Sequence, residues 1–363
     1  MKILSDPSVQ NVLSALERKT NREEEMTSLL NEYLSIQEDW GGDMPDIKDI
    51  DSLQEAFFES FLELPRGLKN DCKKYLFPYL EVLEDVSFVS EDPYFSVLKG
   101  VAFEENGLSL GMKEVSKGEL FPYSSYDVGP SPYYEERPSF AFSKKPFSYP
   151  VFSKEGRPWM SLIPHEIKTM EKAIEECEGE VLTYGLGMGY FAYRASIKEK
   201  VKRVTIIESD PSIVSFFLKH LAPSFPQGKI QLIEGDALKF AKDAEKGSYD
   251  YLFADIYHDA EDGLPLYIAL KQSEGAAKRS SYWIEKDILV YFRRYLVAYL
   301  LEQNDPEIAS QGDQPYAEGN DFPSKLFRGI HLYLKGKEIQ SEKDIGDLLS
   351  DDSLIDIIKH ISF

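Results

Sequence analysis

One run, Glu180-Val-Leu-Thr-Tyr-Gly-Leu-Gly-Met-Gly-Tyr-Phe-Ala-Tyr-Arg-Ala-Ser196, restricts the possible folds more than any other part of the chain. Val181 to Tyr184 carry no charge and are apolar or β-prone, the pattern of a strand buried on both faces. Gly185, Gly187 and Gly189 then occupy alternate positions. No helix or strand needs glycine that often. A turn does when it needs positive φ or must bring backbone N–H groups against a ligand, because a Cβ would obstruct either. Tyr190 to Ser196 reads as the helix that follows. The dinucleotide fingerprint requires G-x-G-x-x-G, or alanine in the last place. Counted from Gly185, that place is Tyr190, so the spacing here is G-x-G-x-G.

Three further strands are legible downstream. Val201-Lys-Arg-Val-Thr-Ile-Ile-Glu-Ser-Asp-Pro211 ends in acid, and a carboxylate at the tip of a second strand is placed to accept from a ribose diol. Asp210-Pro211 is an N-cap followed by proline at N1, which predicts a helix over 213–221. Lys229-Ile-Gln-Leu-Ile-Glu-Gly-Asp-Ala237 is the third strand, with Asp236 as cap of a helix over 237–244. Ser248-Tyr-Asp-Tyr-Leu-Phe-Ala-Asp-Ile-Tyr-His-Asp259 contains the fourth, ending at Asp255. Strands alternating with helices predict a mostly parallel α/β sheet, and such sheets bind ligands at the strands' carboxyl ends. Gly185, Glu208, Asp236 and Asp255 all fall there.

The G-x-G-x-G turn resembles that of class I S-adenosylmethionine-dependent methyltransferases. The runs Val-Leu-Thr-Tyr-Gly-Leu-Gly-Met-Gly, Val-Thr-Ile-Ile-Glu-Ser-Asp-Pro, Glu-Gly-Asp-Ala and Tyr-Asp-Tyr-Leu-Phe-Ala-Asp resemble the spermidine synthase branch of that superfamily. That branch likewise lacks an acid two residues before the first glycine, where this chain has Thr183. His165-Glu166 resembles its histidine–glutamate pair, and Tyr149 to Met160 resembles the hairpin ahead of the pair. The resemblance covers residues 149 to 260. It breaks on the substrate side. Asp255-Ile-Tyr-His-Asp259 replaces the family's Asp-Ser-Ser-Asp-Pro, and Pro164 stands in place of its tyrosine.

The resemblance implies a Rossmann-like class I methyltransferase domain with S-adenosyl-L-methionine as cofactor. Tyr184, Gly185, Leu186, Gly187 and Gly189 would hold its homocysteine part. Glu208 and Ser209 would hold the ribose, Asp236 and Ala237 the adenine, and Asp255 would lie beside the transferred group. Asp255, Tyr257, His258 and Asp259 are the candidate catalytic residues. His258 is the candidate base, because imidazole ordinarily titrates near neutrality. The expected function is methyl transfer to an acceptor the sequence does not specify, with a small molecule expected. One alternative is aminopropyl transfer from decarboxylated S-adenosylmethionine. A second is a non-catalytic binding module on the same fold.

Net charge is −22, from 63 acidic and 41 basic residues. A nucleic-acid partner is not expected, since phosphate backbones need a basic face. The acidity suits a cationic substrate and also serves solubility. The five histidines and two cysteines show no metal-ligand spacing. Cys72 and Cys177 alone suggest reduced thiols. With no apolar run of membrane-spanning length and no leader-like N-terminus, a cytoplasmic protein is expected.

Three regions are expected. Residues 1–95 read as a helical domain, with helices over 7–18, 23–38, 52–64 (capped by Asp51) and 68–83. It can serve substrate recognition or homodimerisation, and the sequence leaves both open. Residues 96–163 read as short strands and loops, with a hairpin near 150–160. Tyr123, Tyr126, Tyr133 and Tyr134 there are expected to pack between domains rather than line a pocket. Residues 164–363 form the cofactor domain. It includes a helix over 164–178, a short fifth strand over 279–285, an apolar helix over 287–302 and a polar loop over 305–322. Its C-terminal part reads as helical, with the usual sixth and seventh strands reduced or replaced.

Overall fold

A computed structural model of the chain describes residues 1–40, 44–61, 63–98, 101, 103–105 and 107–362. Five parallel strands form its central sheet: β1 (Gly179–Tyr184), β2 (Val201–Glu208), β3 (Ile230–Glu234), β4 (Tyr249–Ala254) and β5 (Ala277–Tyr282). Their order is β3-β2-β1-β4-β5. Thr183 at the centre pairs with Ile206 on one side and Phe253 on the other. Val181 to Tyr184 are buried on both faces, as their unbroken uncharged run predicts. The chain leaves β1 toward β2 and later returns to its other side as β4. Such a reversal of strand order opens a crevice at the carboxyl ends.

The helix starts are set by the predicted caps. Asp210 accepts from Ser212 N–H ahead of Pro211–Phe216, and Asp236 accepts from Lys239 N–H ahead of Ala237–Asp243. The helix expected over 213–221 changes to a π turn at Phe217–Leu221 and a 3-10 turn containing Pro223. Helix Pro164–Glu176 leads into β1, and Glu285–Asn304 follows β5. Beyond it, among the described residues, no sixth or seventh strand joins the sheet. Phe322–Leu334, Glu342–Leu348 and Asp351–His360 are helices, and the two-residue strand Glu338–Ile339 pairs with Lys2–Ile3 instead. The loop expected over 305–322 includes a short helix, Pro306–Ser310, capped by Asp305.

The N-terminal region is helical, with several boundaries changed. Pro7–Trp40 is one helix, not two. Its first half packs Val9, Val12, Leu13 and Leu16 into the main core. Its second half packs Met26, Leu30 and Tyr33 into a separate core with Phe57, Phe77 and Phe142. Helix Ile50–Glu59 is capped by Asp49, in a reciprocal box with Ser52, rather than by Asp51. Leu62, within the expected extent of that helix, lies outside the described residues. The helix expected over 68–83 stops at Tyr75. Pro78 shapes a 3-10 turn, and Glu81–Leu83 becomes a strand beside Glu136–Ser143.

The middle region contains long antiparallel strands where short ones and loops were expected. Leu120–Val128 pairs with Glu136–Ser143, and Leu108–Val115 pairs with Phe147–Lys154. Phe147–Lys154 turns through Glu155-Gly156 into Arg157–Ser161, the hairpin anticipated near 150–160. None of the four tyrosines lines the crevice; Tyr123 and Tyr134 pack against the core as expected, whereas Tyr133 is exposed to solvent. The Tyr126 ring faces Arg294, the Tyr134 ring faces Arg293, and Tyr134 Oη donates to the Gly346 carbonyl.

Candidate functional site

A cavity of about 290 Å³ opens where β1, β2 and β4 end. Its floor is the glycine turn, in which Gly185, Gly187 and Gly189 all have positive φ. Gly185 needs glycine twice over. Its φ is +87°, and a Cβ there would lie 1.8 Å from the Asp255 carbonyl oxygen. That contact exists because Asp255 N–H donates to Tyr184 O at 2.8 Å, which brings the end of β4 against the turn. A Cβ on Gly187 would meet Met160, so the hairpin 147–161 lies directly over the turn. Gly189 is the left-handed N-cap of helix Tyr190–Ser196.

The N-terminal region fastens this turn from behind. Buried Tyr94 donates its hydroxyl to the Met188 carbonyl. Asp92 accepts from Tyr190 Oη at 2.9 Å and pairs with Arg194. A loop held by backbone and side-chain bonds of this kind presents its groups in a fixed arrangement.

Glu208 ends β2 with both carboxylate oxygens engaged. Oε2 accepts from Leu186 N–H at 2.9 Å and Oε1 from Asp210 N–H at 2.8 Å. Each oxygen keeps a further lone pair for a ligand. Asp255 ends β4 and lines the same cavity. Burial, and secondarily the negative Glu208, push its carboxyl from 3.8 up to about 7. Glu166, from the first turn of Pro164–Glu176, also lines the cavity. Burial and then Asp255 raise it well above the usual carboxylate range. Asp210, the fourth acid on the wall, pairs with Lys154 of the hairpin. Among the described residues, no lysine or arginine lines the cavity.

Aromatic side chains close the remaining wall. The Tyr257 ring stacks on Trp283 at 6.0 Å, and its hydroxyl donates to the Trp283 carbonyl at 2.6 Å. Trp159 of the hairpin donates its indole N–H to His258 Nε2 at 3.0 Å.

The structure gathers most, not all, of the residues selected from sequence. Gly185, Leu186, Gly187, Glu208, Ser209, Ala237, Asp255, Tyr257 and His258 line the cavity. Four others do not. The Tyr184 side chain is buried against Phe240 on the far side of its strand. Gly189 acts as a cap. Asp236 is exposed, with its carboxylate turned onto Lys239 N–H, and the neighbouring Gly235 and Ala237 take the wall instead. Asp259 is also exposed. It caps Ala260–Gln272 by accepting from Glu261 and Asp262 N–H groups at 2.8 and 3.0 Å. An acid at a strand end can serve a ligand or a helix, and helix capping claims these two.

Glu166, Trp159, Met160 and Trp283 were not singled out as site residues. Glu166 carried a signal in the His165-Glu166 pair, whereas Trp283 fell inside the fifth strand expected over 279–285, which in the structure runs over Ala277–Tyr282 and leaves Trp283 just past its end. His165 itself packs edge-on to Trp283, where burial lowers it to about 4. Trp159 carried none. Among the described residues, no group of three His, Cys, Asp or Glu is placed to hold a metal ion. No helix among them is long and apolar enough to cross a membrane.

No family model matches the chain, and no curated protein matches it. Several solved structures are similar. One is the spermidine synthase from Thermotoga maritima, at 13% identity over 35% of this chain and 47% of that one, with a TM-score of 0.27. A proposed RNA methyltransferase from Pyrococcus horikoshii aligns at 17% identity over 35% and 63% of the two chains, with a TM-score of 0.27. A proposed S-adenosylmethionine-dependent methyltransferase from Streptococcus mutans aligns at 19% identity over 34% and 35%, with a TM-score of 0.26. This chain spans about half the length of the spermidine synthase. The strand order shows the fold directly: a helical N-terminal region precedes a Rossmann-like α/β domain whose five-stranded parallel sheet is followed by helices.

Proposed function

We propose that the cavity binds S-adenosylmethionine and that the protein is a transferase moving its methyl group to a small-molecule acceptor. One observation carries the reading: the glycine turn, Glu208 and Asp255, selected independently at three strand ends, surround one cavity. The residues fit this cofactor group by group. Glu208 retains lone pairs for the two ribose hydroxyls. Among the described residues the Asp255 and Glu166 carboxyls make no hydrogen bond or ion pair, and a sulfonium or ammonium centre beside them would favour their ionised form. The bound cofactor supplies an already electrophilic methyl group. The protein's part is then alignment, exclusion of water and management of the acceptor's proton. The overall charge of −22 favours an acceptor other than nucleic acid, and we place the protein in the cytoplasm.

A second reading, aminopropyl transfer from decarboxylated S-adenosylmethionine, has its own support. Four acids line the cavity and, among the described residues, no lysine or arginine does, so a cofactor carboxylate would meet no permanently cationic side chain there. The first reading is tested by titrating S-adenosylhomocysteine into the wild type and Glu208→Gln. Losing a charged acceptor for two hydroxyls costs about 1.5–3 kcal/mol, or about 10–100-fold in affinity. Equal affinities would remove the ribose role of Glu208.

A further inference from the structure

The His258 ring is held by two partners whose chemistry leaves it a single state. Nδ1 lies 3.0 Å from Asp262 Oδ2. Asp262 also accepts from the backbone N–H groups of His258 and Asp259, each at 3.0 Å. These bonds, together with the ring contact, keep its carboxyl ionised below the usual range. An ionised carboxylate only accepts, so Nδ1 carries a hydrogen. On the other side, the Trp159 indole N–H only donates, so Nε2 presents a lone pair. The imidazole is therefore neutral, protonated on Nδ1 and basic at Nε2, the form a general base requires. Trp159 is itself placed by contacts beyond the histidine, with its ring 5.8 Å from Phe152 and Lys154 over its face. The same strand carries Met160 onto the glycine turn.

We propose that the Trp159 indole N–H occupies the position of the acceptor's own X–H group. The acceptor is then a planar aromatic acid, a phenol or an N–H heteroaromatic, that displaces Trp159 and gives its proton to His258 Nε2. This rests on the methyl-transfer reading. Asp262 is a positioning residue, since it fixes the tautomer without touching the acceptor. The stacked Tyr257 and Trp283 rings supply a flat wall for such a body. In the step, the X–H bond breaks as X bonds to the methyl carbon. The S–C electron pair returns to the sulfonium sulfur, leaving a neutral thioether. The proton rests on Nε2, and the exposed ring passes it to water. An acceptor without a removable proton gains nothing from this base.

The test uses the full chain with 15N-labelled histidine and tryptophan. Imidazole 15N shifts report the His258 tautomer with no cofactor present. The expected form is Nδ1–H in the wild type, with a shift toward mixed tautomers in Asp262→Asn. The probes are 2-naphthol and benzimidazole, beside 2-methoxynaphthalene and 1-methylbenzimidazole, which lack the proton. At least one X–H probe should perturb both the Trp159 indole and His258 signals, at least 10-fold more tightly than its methylated partner. His258→Gln should lose that preference. An Nε2–H tautomer in the wild type, equal binding of methylated and X–H probes, or no response to either X–H probe would overturn the proposal. Failure of S-adenosylhomocysteine to bind is a separate result. It would reject the cofactor reading and leave the tautomer and probe results standing.

Discussion

Asp255 should make the folded protein less stable, in a way that depends on pH. Its carboxyl moves from 3.8 to about 7 because the cavity solvates its charge poorly and Glu208 stands near. Between about pH 4 and 7 the folded chain therefore keeps a proton that the unfolded chain has lost. Stability due to this group falls as pH rises across that window and levels off above it. At about 1.4 kcal/mol per pH unit, the stretch from pH 5 to 7 is worth up to about 3 kcal/mol. Water in the open cavity reduces this, and about 1–2 kcal/mol is expected. Asp255→Asn keeps the shape and removes the ionisation. Its stability advantage over wild type should be small at pH 5 and grow by that amount at pH 8. In paired thermal melts the gain in Tm should be a few °C larger at pH 8. Equal differences at both pH values, or a loss of stability at pH 8, would show that Asp255 is well solvated or already paired. The case for a cation-binding carboxyl would then fail.

Three other outcomes follow from the same geometry. Gly185→Ala sets a Cβ at 1.8 Å from the Asp255 carbonyl at φ +87° and should cost about 3 kcal/mol, read from urea melts. Tyr94→Phe strands the buried Met188 carbonyl and should cost about 1–3 kcal/mol, with faster amide exchange in residues 185–190. Because Asp255 ionises only as pH rises through about 7, the preference for cationic S-adenosylmethionine over neutral S-adenosylhomocysteine should grow by up to about 10-fold per pH unit as pH rises toward that point and level off above it. Calorimetry at pH 6 and 8 checks it, and a constant ratio would separate the sulfonium from Asp255.

The parts of the fold legible in sequence are those specified locally. The glycine turn and the caps at Asp210 and Asp236 each depend on residues a few positions apart, and all appear where their patterns place them. What was missed depends on distant partners. Pro7–Trp40 reads as two helices because the charged run 17–25 interrupts its apolar stripe. In the structure Lys19 and Glu23 are buried within that run. Lys19 pairs with Glu136, 117 residues away, and Glu136 in turn pairs with Arg294. The strands of the middle region likewise gain their identity from pairing. Leu120–Val128 carries two register shifts against its partner, which scramble the alternation that would mark it as a strand. In the site, strand ends told which residues approach the crevice but not which way each side chain turns. Asp259 and Asp236 turn to helix N–H groups, while Asp255, with no helix beginning beside it, remains in the cavity.

Calorimetric titration of the purified full chain with S-adenosylhomocysteine, decarboxylated S-adenosylmethionine and NAD, each alone, addresses the central claim most directly. Saturable one-to-one binding of S-adenosylhomocysteine, weakened at least 10-fold by Glu208→Gln and with no heat from NAD, is the predicted result. Preference for the decarboxylated ligand would transfer the site to aminopropyl chemistry. No binding of either sulfur ligand would contradict the account.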